Sequence, residues 1–218
     1  MSEAGTLAVL ATLLAGCYAS HEVAGEAGPR PTSPGAYPIA FAPEPAGGSR
    51  LTLNDDELSA PIPLGFSFRY FDRTYDTVVV SSNGFLVFGG ATSSGCCSGR
   101  TIPTADSEDG VVAFAWTDLF PPGGGALTFE TRGSAPNRRF VLSADDQAWC
   151  CDDIPRVTAQ VILFEGSDAF EMHVTRQAGG HTYTQGVEDE SGRRAFFLPG
   201  RVARDYALSR DAVLFITH

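Results

Sequence analysis

The chain of 218 residues contains no lysine, and its 15 positively charged side chains are outnumbered by 26 aspartates and glutamates. The formal net charge of −11 excludes the basic surface that governs affinity for nucleic acid. It also argues against electrostatic docking on anionic lipid. Long apolar runs are missing too, since none approaches the roughly 20 residues that a transmembrane helix needs. The sequence therefore indicates an acidic globular protein with no nucleic-acid partner.

Catalytic motifs are also missing. The sequence has no Gly-x-Ser-x-Gly elbow, no His-Glu-x-x-His and no glycine-rich phosphate loop with a lysine. Paired carboxylates for glycoside hydrolysis remain an alternative, because their separation in space cannot be read from a sequence. We therefore predict that the chain is not an enzyme and has neither catalytic residues nor a cofactor.

The N-terminal region predicts an export signal. Leu7 to Ala15 is a short apolar run, of the length found in signal peptides, and it ends in Leu14-Ala15-Gly16-Cys17. This ending resembles the bacterial lipobox, which implies that Cys17 is lipidated and that several acyl chains hold the protein to a membrane. The absence of Lys and Arg before Cys17, together with Glu3, departs from the usual positive start, and an ordinary signal peptide is the alternative.

These features predict a division of the chain. Residues 1–16 are expected to be a lipoprotein signal peptide. Residues 17–50 are rich in Ala, Gly, Pro and Glu and would bury too little surface to offset their ordering entropy. We predict that they form a flexible tether with an ordered strand near Tyr37 to Phe41, followed by one domain over residues 51–218. The predicted location is the cell envelope, at the outer membrane or cell surface, with the lipid as the only membrane contact.

From residue 51 the hydrophobic pattern has a period of two. Apolar residues between Leu64 and Tyr70 alternate with Gly, Ser and Arg, which places them on one face of a strand. Asn83-Gly84 predicts a type I′ hairpin turn, in which both positions need positive φ. Further strands are predicted at Thr77 to Ser81, Phe85 to Phe88, Val111 to Trp116, Ala126 to Thr131, Arg139 to Ser143, Val157 to Phe164, Ala169 to Thr175, Thr182 to Glu188, Ala195 to Leu198 and Ala212 to Thr217. Many short, evenly spaced strands predict an all-β fold, a jelly-roll-like antiparallel β-sandwich.

A family resemblance supports this fold. The stretch Val80-Ser81-Ser82-Asn83-Gly84-Phe85-Leu86-Val87-Phe88-Gly89, followed by Val112 to Leu119 and Gln160 to Ser167, resembles extracellular β-sandwich domains of bacterial surface proteins. These are similar to nidogen-like and plexin-repeat-associated modules, and the resemblance runs from about Leu64 to Thr217. It implies an accessory or adhesive module without a shared catalytic set. Thr117 stands where a second acidic residue is common before Asp118, which argues against cation binding by an acidic pair there.

Four cysteines form two adjacent pairs, Cys96-Cys97 and Cys150-Cys151. Exported proteins favour disulfides, and four cysteines allow three connectivities. Bonding neighbours strains an eight-membered ring, whereas consecutive side chains of an extended segment point in opposite directions. We therefore expect two bridges between the two loops. Vicinal disulfides, with a redox or ligand-gating role, and a zinc site lacking the usual cysteine spacing are the alternatives.

Several residues are candidates for ligand binding. Asp106, Glu108 and Asp109 precede Gly110 in an acidic loop, but calcium-loop spacing is absent and a solvated loop is the simpler interpretation. His173 and His181 could form a metal site with Glu171 if a hairpin joins them, although solvated histidines are the simpler reading.

Aromatic residues distinguish the remaining hypotheses. Trp149 adjoins Cys150 and is expected to pack on a disulfide, or with Tyr183 to offer a stacking surface for a sugar or a protein. We favour a binding or structural module whose partner is an envelope or extracellular protein or glycan. A lectin-like module would need Trp149 or Tyr183 exposed, and an envelope hydrolase would need a cleft of converging carboxylates.

Overall fold

The computed structural model describes residues 31–167 and 169–218, so Cys17 and the predicted signal peptide lie outside the described residues. The described chain folds into two antiparallel sheets packed face to face, which confirms the predicted all-β sandwich. A short 3-10 turn occurs at Pro121–Gly123. The strands are β1 (Gly35–Pro38), β2 (Ser49–Leu51), β3 (Ile62–Tyr70), β4 (Arg73–Ser81), β5 (Phe85–Val87), β6 (Val111–Trp116), β7 (Leu119–Phe120), β8 (Ala126–Arg132), β9 (Arg139–Trp149), β10 (Pro155–Phe164), β11 (Ala169–Gln177), β12 (Thr182–Glu188), β13 (Ala195–Phe196), β14 (Arg204–Asp205) and β15 (Leu208–Ile216).

The larger sheet has the strand order β1-β15-β11-β10-β9-β8-β2, with β7 paired to β9. The smaller sheet has the order β13-β12-β6-β5-β4-β3, with β14 paired to β12. The chain therefore changes sheets between β11 and β12. Within residues 31–167 and 169–218, no helix has the length and apolar character needed to span a bilayer.

The period-two pattern of β3 explains how the sheets meet. Alternate residues from Ile62 to Tyr70 are buried, and those between them are exposed. Phe68 on this strand packs against Phe170 of the facing sheet, with ring centroids 6.1 Å apart. Strand β6 is buried along its whole length because the connection over residues 88–110 covers its outer face with Ile102.

The segment before residue 51 belongs to the fold from Gly35 onward. Strand β1 pairs with β15 at one edge of the larger sheet, and β2 pairs with β8 at the other. Residues 39–45, which we call the strap, cross the outer face between these edges. The Ile39 N–H donates to the Ala212 carbonyl oxygen (3.0 Å), and the Glu44 N–H donates to the Gln160 side-chain oxygen (2.8 Å). The ordered strand expected near Tyr37 thus forms, and the strap follows it.

The turn at Asn83-Gly84 differs from the predicted type I′ hairpin. Ser81 pairs with Phe85, so the loop has a third residue, and of the two predicted turn positions only Gly84 has positive φ (81°). A Cβ atom at Gly84 would lie 2.3 Å from the Ala115 carbonyl oxygen, so this position requires glycine. Asn83 uses its side chain for contacts with other loops instead.

Strand register defines two ends of the sandwich. Ser81 pairs with Phe85 at one end of the smaller sheet, and Tyr70 pairs with Arg73 at the other. A strand of the length of β4 separates them by roughly 25 Å. We call the first end, formed by loops 54–57, 94–99, 117–119 and 149–154, the cysteine end. We call the second, formed by loops 71–72, 88–90, 105–109 and 189–194, the pocket end.

The described chain enters the fold at the pocket end. Gly35, the first residue of β1, pairs with Ile216. The next residue, Thr217, accepts a hydrogen bond at its hydroxyl from the Phe71 N–H (3.1 Å). Because Phe71 lies in the turn between β3 and β4, this contact places Gly35 near the pocket end.

Candidate functional site

The cysteine end brings together loops that are distant in sequence. Asp55 and Asp56 lie in the turn between β2 and β3, and Asp118 directly follows β6. Cys96-Cys97 lies in the connection after β5, and Cys150-Cys151 directly follows β9. The lengths of these strands therefore determine where the acidic and sulfur-bearing side chains meet.

The Asn83 side chain joins three of these loops. Its amide nitrogen donates to the Asp56 carboxylate (2.8 Å) and to the Ser94 carbonyl oxygen (3.2 Å). Its amide oxygen accepts the Leu119 N–H (3.2 Å). Asn83 is completely buried, and a buried amide whose donors and acceptor are all used is costly to replace. Asn83 thus fixes the position of Asp56 relative to the loops that carry Cys96 and Asp118.

Two further hydrogen bonds tie both cysteine loops to the end of β6. The Trp116 indole N–H donates to the Gly95 carbonyl oxygen (2.8 Å), directly before Cys96. The Cys150 N–H donates to the Asp118 carbonyl oxygen (3.0 Å). The buried end of β6 is therefore the rigid support of the cysteine end.

The disulfides join adjacent residues, Cys96 to Cys97 and Cys150 to Cys151. The expected bridges between the two loops are therefore not formed. The first pair lies within 4.8 Å of the Asp56 carboxylate and the second within 4.8 Å of the Asp55 carboxylate. The turn at Asp55-Asp56 thus contacts both cysteine pairs.

Three carboxylates of the cysteine end lack an arginine partner in the described chain, whereas a fourth, that of Asp152, lies 3.5 Å from Arg156. Among the described residues, Asp55, Asp56 and Asp118 form no ion pair with an arginine. Burial raises the pKa of Asp118, and the carboxylates of Asp56 and Asp55 raise it further, while His181 lowers it. The cysteine end therefore concentrates negative charge beside the sulfur atoms.

Trp149 and Tyr183 are buried, with exposed fractions of 8% and 0%. The Trp149 indole N–H donates to the Tyr183 hydroxyl (2.6 Å). His181 stacks on the indole with ring centroids 3.8 Å apart, and the Arg156 guanidinium lies 4.5 Å from the ring. These two aromatic residues therefore do not form the exposed surface that a lectin-like module would need.

His173 and His181 lie in different surroundings. The predicted hairpin between them does not exist, since β11 and β12 belong to different sheets. His173 is buried beneath the strap, where its Nδ1 accepts the Ala42 N–H (3.4 Å) and its Nε2 lies 3.0 Å from the Glu171 carboxylate. His181 stacks on Trp149 at the cysteine end. The predicted metal site of these histidines is therefore not assembled.

The acidic loop of Asp106, Glu108 and Asp109 uses its carboxylates internally. The Asp106 N–H donates to Asp109 (3.0 Å), and the Glu108 N–H donates to Asp106 (2.9 Å). The buried Glu108 carboxylate accepts a hydrogen bond from Arg100 (2.6 Å). In the described chain these three carboxylates do not form a converging group of ligand atoms, so the loop offers no preformed calcium site.

A cavity of about 780 Å³ opens at the pocket end. Its walls include buried aromatic rings, charged side chains and the small residues of two turns. The lining residues are Tyr70, Phe71, Asp72, Arg73, Tyr75, Phe88, Gly89, Gly90, Asp106, Ser107, Asp109, Asp189, Glu190, Ser191, Arg193 and Arg194. An envelope hydrolase would need an acidic cleft of this kind. The protonation and the ion pairs of its carboxylates are therefore relevant to the choice between a hydrolase and a non-catalytic module.

Three of these carboxylates are held by arginines. Arg194 binds both Asp72 and Asp189, and Arg73 lies 2.8 Å from Glu190. Burial would raise the pKa of Asp189, but hydrogen bonds from two backbone N–H groups, the Arg194 guanidinium and a serine hydroxyl hold it at about 2. A carboxylate so paired is neither a proton donor nor a free nucleophile at neutral pH.

Glu188 is protonated at neutral pH, as a general acid must be, but it does not lie in the wall of the cavity. Burial, followed by the carboxylates of Asp109, Asp106 and Asp189, raises its pKa to about 8. Its carboxyl group accepts the Thr104 N–H (2.7 Å), and the residue is only 2% exposed. Because Glu188 does not line the cavity, it cannot reach a substrate there. Glu188 therefore cannot act as the acid of a hydrolytic pair in this cavity.

Sequence patterns indicate neither the contacts of Asn83 nor the pocket. The pair Asn83-Gly84 predicts a turn, but it does not predict that the Asn83 amide is buried and joins three loops. The pocket arises where turns 71–72 and 189–194 meet, and no local pattern predicts that meeting.

Comparison with known proteins identifies a family that the chain matches. A family model described as NIDO related matches residues 35–201. No curated protein and no solved structure matches the chain. The matched range begins at the first residue of β1 and contains both cysteine pairs, Asn83 and most of the pocket end. Since the match covers well over half of the chain, the protein belongs to the NIDO-related family.

Proposed function

We propose that the protein is a lipid-anchored, non-catalytic binding module of the cell envelope whose cysteine end contacts an envelope or extracellular protein. Family membership and the lipobox-like ending at Cys17 support an exported module. The arginine-paired carboxylates of the pocket support a non-catalytic role.

The proposal of a protein partner rests on the exposure of Ile154. It lies on loop 149–154 of the cysteine end and is 49% exposed, although it is a large apolar side chain. Its N–H donates to the Asp152 carboxylate (2.9 Å), which shapes the tip of the loop. We take Ile154 as the apolar contact of the proposed interface because it lies at the same end as both disulfides and the carboxylates without arginine partners. The unpaired Asp55 and Asp56 nearby favour a partner with basic groups around its apolar pocket.

A glycan partner has less support. Sugars are commonly held against an exposed aromatic ring, and Trp149 and Tyr183 are both buried. A glycan would have to be bound through the acidic and disulfide loops alone. We therefore treat a glycan as an alternative outcome of the binding experiment.

The binding experiment uses the oxidised chain carrying Cys17→Ser, immobilised and incubated with solubilised envelope from the producing cells. We expect one envelope protein to be retained and identified by mass spectrometry. Ile154→Asp should abolish its capture, because a buried carboxylate would replace the apolar anchor. The matched control is Phe197→Asp, since Phe197 is 39% exposed but lies beside β13 rather than at the cysteine end.

Two results would contradict this assignment. Capture unchanged by Ile154→Asp would place the contact elsewhere on the molecule. Retention of a glycan with no protein would replace the proposed partner class.

The anchor is tested separately, by fractionation and mass spectrometry of the natural chain. We expect the protein in the membrane fraction with acyl groups on Cys17, and Cys17→Ser should move it to the soluble fraction. A mature N-terminus that is unmodified and lies beyond Cys17 would overturn the anchor.

A further inference from the structure

The cysteine end assembles a set of metal-binding atoms that the proposed function does not use. The sulfur atoms of Cys96 and Cys97 and carboxylate oxygens of Asp56 and Asp118 all lie within 4.8 Å of one another. Four donors around a tetrahedral zinc ion are about 3.3–3.8 Å apart, as follows from bonds of about 2.3 Å to sulfur and about 2.0 Å to oxygen. After the S–S bond of about 2.05 Å is broken, the two sulfur atoms must separate by about 1.7 Å, whereas the carboxylate oxygens need to approach by about an ångström.

The surroundings of this set favour a positive ion. Asp56 and Cys97 are exposed, whereas Cys96 and Asp118 are partly buried, so an ion can enter from solvent and meet ligands held by the fold. Asn83 fixes the Asp56 carboxylate through a 2.8 Å hydrogen bond, as partners of metal ligands commonly do. In the described chain no arginine competes for Asp56 or Asp118.

The second cysteine pair has a smaller set. Cys150, Cys151 and Asp55 bring three ligand atoms within 4.8 Å of one another. Three donors leave one position of a tetrahedral ion open, so we expect weaker binding there.

We propose that reduction of the Cys96–Cys97 disulfide opens a site for a thiophilic divalent metal ion of the zinc and cadmium class, with Cys96, Cys97, Asp56 and Asp118 as its ligands. In the disulfide the sulfur atoms are bonded to each other and are not thiolates, which are the form that binds such ions. The redox state of one pair of cysteines therefore decides whether the four donors act as a metal site.

The chemical steps balance with a dithiol as reductant. The dithiol transfers two electrons and two protons to the disulfide, which yields the two thiols of Cys96 and Cys97, and the dithiol leaves as its own disulfide. The metal ion then displaces both thiol protons to solvent and binds two thiolates. The carboxylates of Asp56 and Asp118 oppose loss of these protons before the metal arrives, since they place like charge beside each sulfur.

This inference is independent of the proposed function. The binding module acts in its oxidised form, as expected in an exporting compartment. The metal site belongs to the reduced form, so either proposal can fail without the other.

The experiment uses the full chain carrying Cys17→Ser, so that the fifth thiol does not bind metal. The chain is reduced with dithiothreitol, separated from it without oxygen and titrated with cadmium ions. Ultraviolet charge-transfer absorption reports cadmium–thiolate bonds, and calorimetry gives the affinity. We expect the reduced chain to bind cadmium at least about 100-fold more tightly than the oxidised chain, because two of the four ligands exist only after reduction.

Variants assign the ligands. Cys150→Ser with Cys151→Ser should keep the tight site, whereas Cys96→Ser with Cys97→Ser should remove it. Asp56→Asn with Asp118→Asn keeps every cysteine and should weaken binding about 10-fold or more. The matched control is Asp76→Asn, an exposed carboxylate on β4 outside either ligand set, which should leave the affinity unchanged.

Three results would overturn the proposal. The first is absence of cadmium–thiolate absorption from the reduced chain. The second is an affinity that the double aspartate variant does not change. The third is loss of β-sheet circular dichroism on reduction, because the carboxylates of Asp56 and Asp118 would then no longer converge.

Discussion

The two ends of the sandwich contain similar numbers of acidic residues but differ in how many of these pair with an arginine. At the pocket end, Asp72, Asp189 and Glu190 are each held by an arginine. At the cysteine end, Asp55 and Asp56 have no arginine partner among the described residues. Arginines thus balance three of the carboxylates that line the cavity, whereas the negative charges of Asp55 and Asp56 have no such counterpart in the described chain.

The cavity and the carboxylates without arginine partners therefore lie at opposite ends of the molecule. The cavity of about 780 Å³ lies at the end where Asp72, Asp189 and Glu190 are paired with arginines. The cysteine end has exposed sulfur-bearing loops and the exposed Ile154. Four substitutions test how far the two ends differ.

The largest expected effect is that of Asn83→Ala. It removes three hydrogen bonds from a completely buried amide and leaves their partners unpaired, so we expect a loss of about 3 kcal/mol in the free energy of unfolding. Chemical denaturation of the oxidised chain measures it. The control is Asn137→Ala, at an exposed turn, which should change stability by less than about 0.5 kcal/mol. Equal effects of the two variants would show that Asn83 does not organise the cysteine end.

Glu188→Gln tests the buried carboxyl group behind the pocket end. The pKa of Glu188 is raised to about 8 by burial, so its contribution to stability is present at low pH and is lost as the pH rises toward 8. Between pH 6 and pH 9 the natural chain should therefore lose about 2 kcal/mol that the variant keeps. Asp189, with a pKa of about 2, does not titrate in this window.

Denaturation midpoints at several pH values measure this difference. Asp76→Asn, at an exposed position, should follow the natural chain throughout. A variant of Glu188 that also follows the natural chain would mean that the carboxyl group is ionised in the fold at neutral pH.

Asp189→Asn tests the arginine-paired carboxylates. Hydrogen bonds lower the pKa of Asp189 to about 2, so its stabilising contribution is present above its ordinary pKa and is lost as the pH falls through 2. We expect the variant to lose about 1.5 kcal/mol at pH 7, and the difference should vanish near pH 2. Thermal unfolding at the two pH values checks this, and a variant as stable as the natural chain at pH 7 would remove the contrast between the ends.

Asp118→Asn should have the smallest effect and the opposite sign. Burial and the neighbouring carboxylates of Asp56 and Asp55 raise the pKa of Asp118, so ionisation at neutral pH costs stability. The variant should gain about 0.5 kcal/mol at pH 7 and nothing at pH 3, where the natural carboxyl group is protonated. A loss of stability at pH 7 would indicate that Asp118 has a positive partner.

The strands could be predicted from the sequence because the alternation of apolar and polar residues along a strand is a local pattern. The alternation from Ile62 to Tyr70 survives in the structure, and β6 and β12 begin and end at the predicted residues. The strap was harder to predict. Its composition is that of a tether, and its order comes from contacts with Ala212 and Gln160 far along the chain.

The candidate site was less predictable because it depends on which loops meet. The sequence indicated disulfides at Cys96-Cys97 and Cys150-Cys151, but not that each pair bonds within itself or lies beside the turn at Asp55-Asp56. The separation of His173 from His181 likewise follows from a change of sheet between β11 and β12. Such facts belong to topology, which no short stretch of residues encodes.

The described chain enters the fold beside Gly35, at the pocket end. Ile154 and both disulfides lie at the other end of the sandwich. With the anchor that we propose at Cys17, the connection to the membrane would therefore join the domain at the end opposite the proposed interface and metal site, and would leave both accessible.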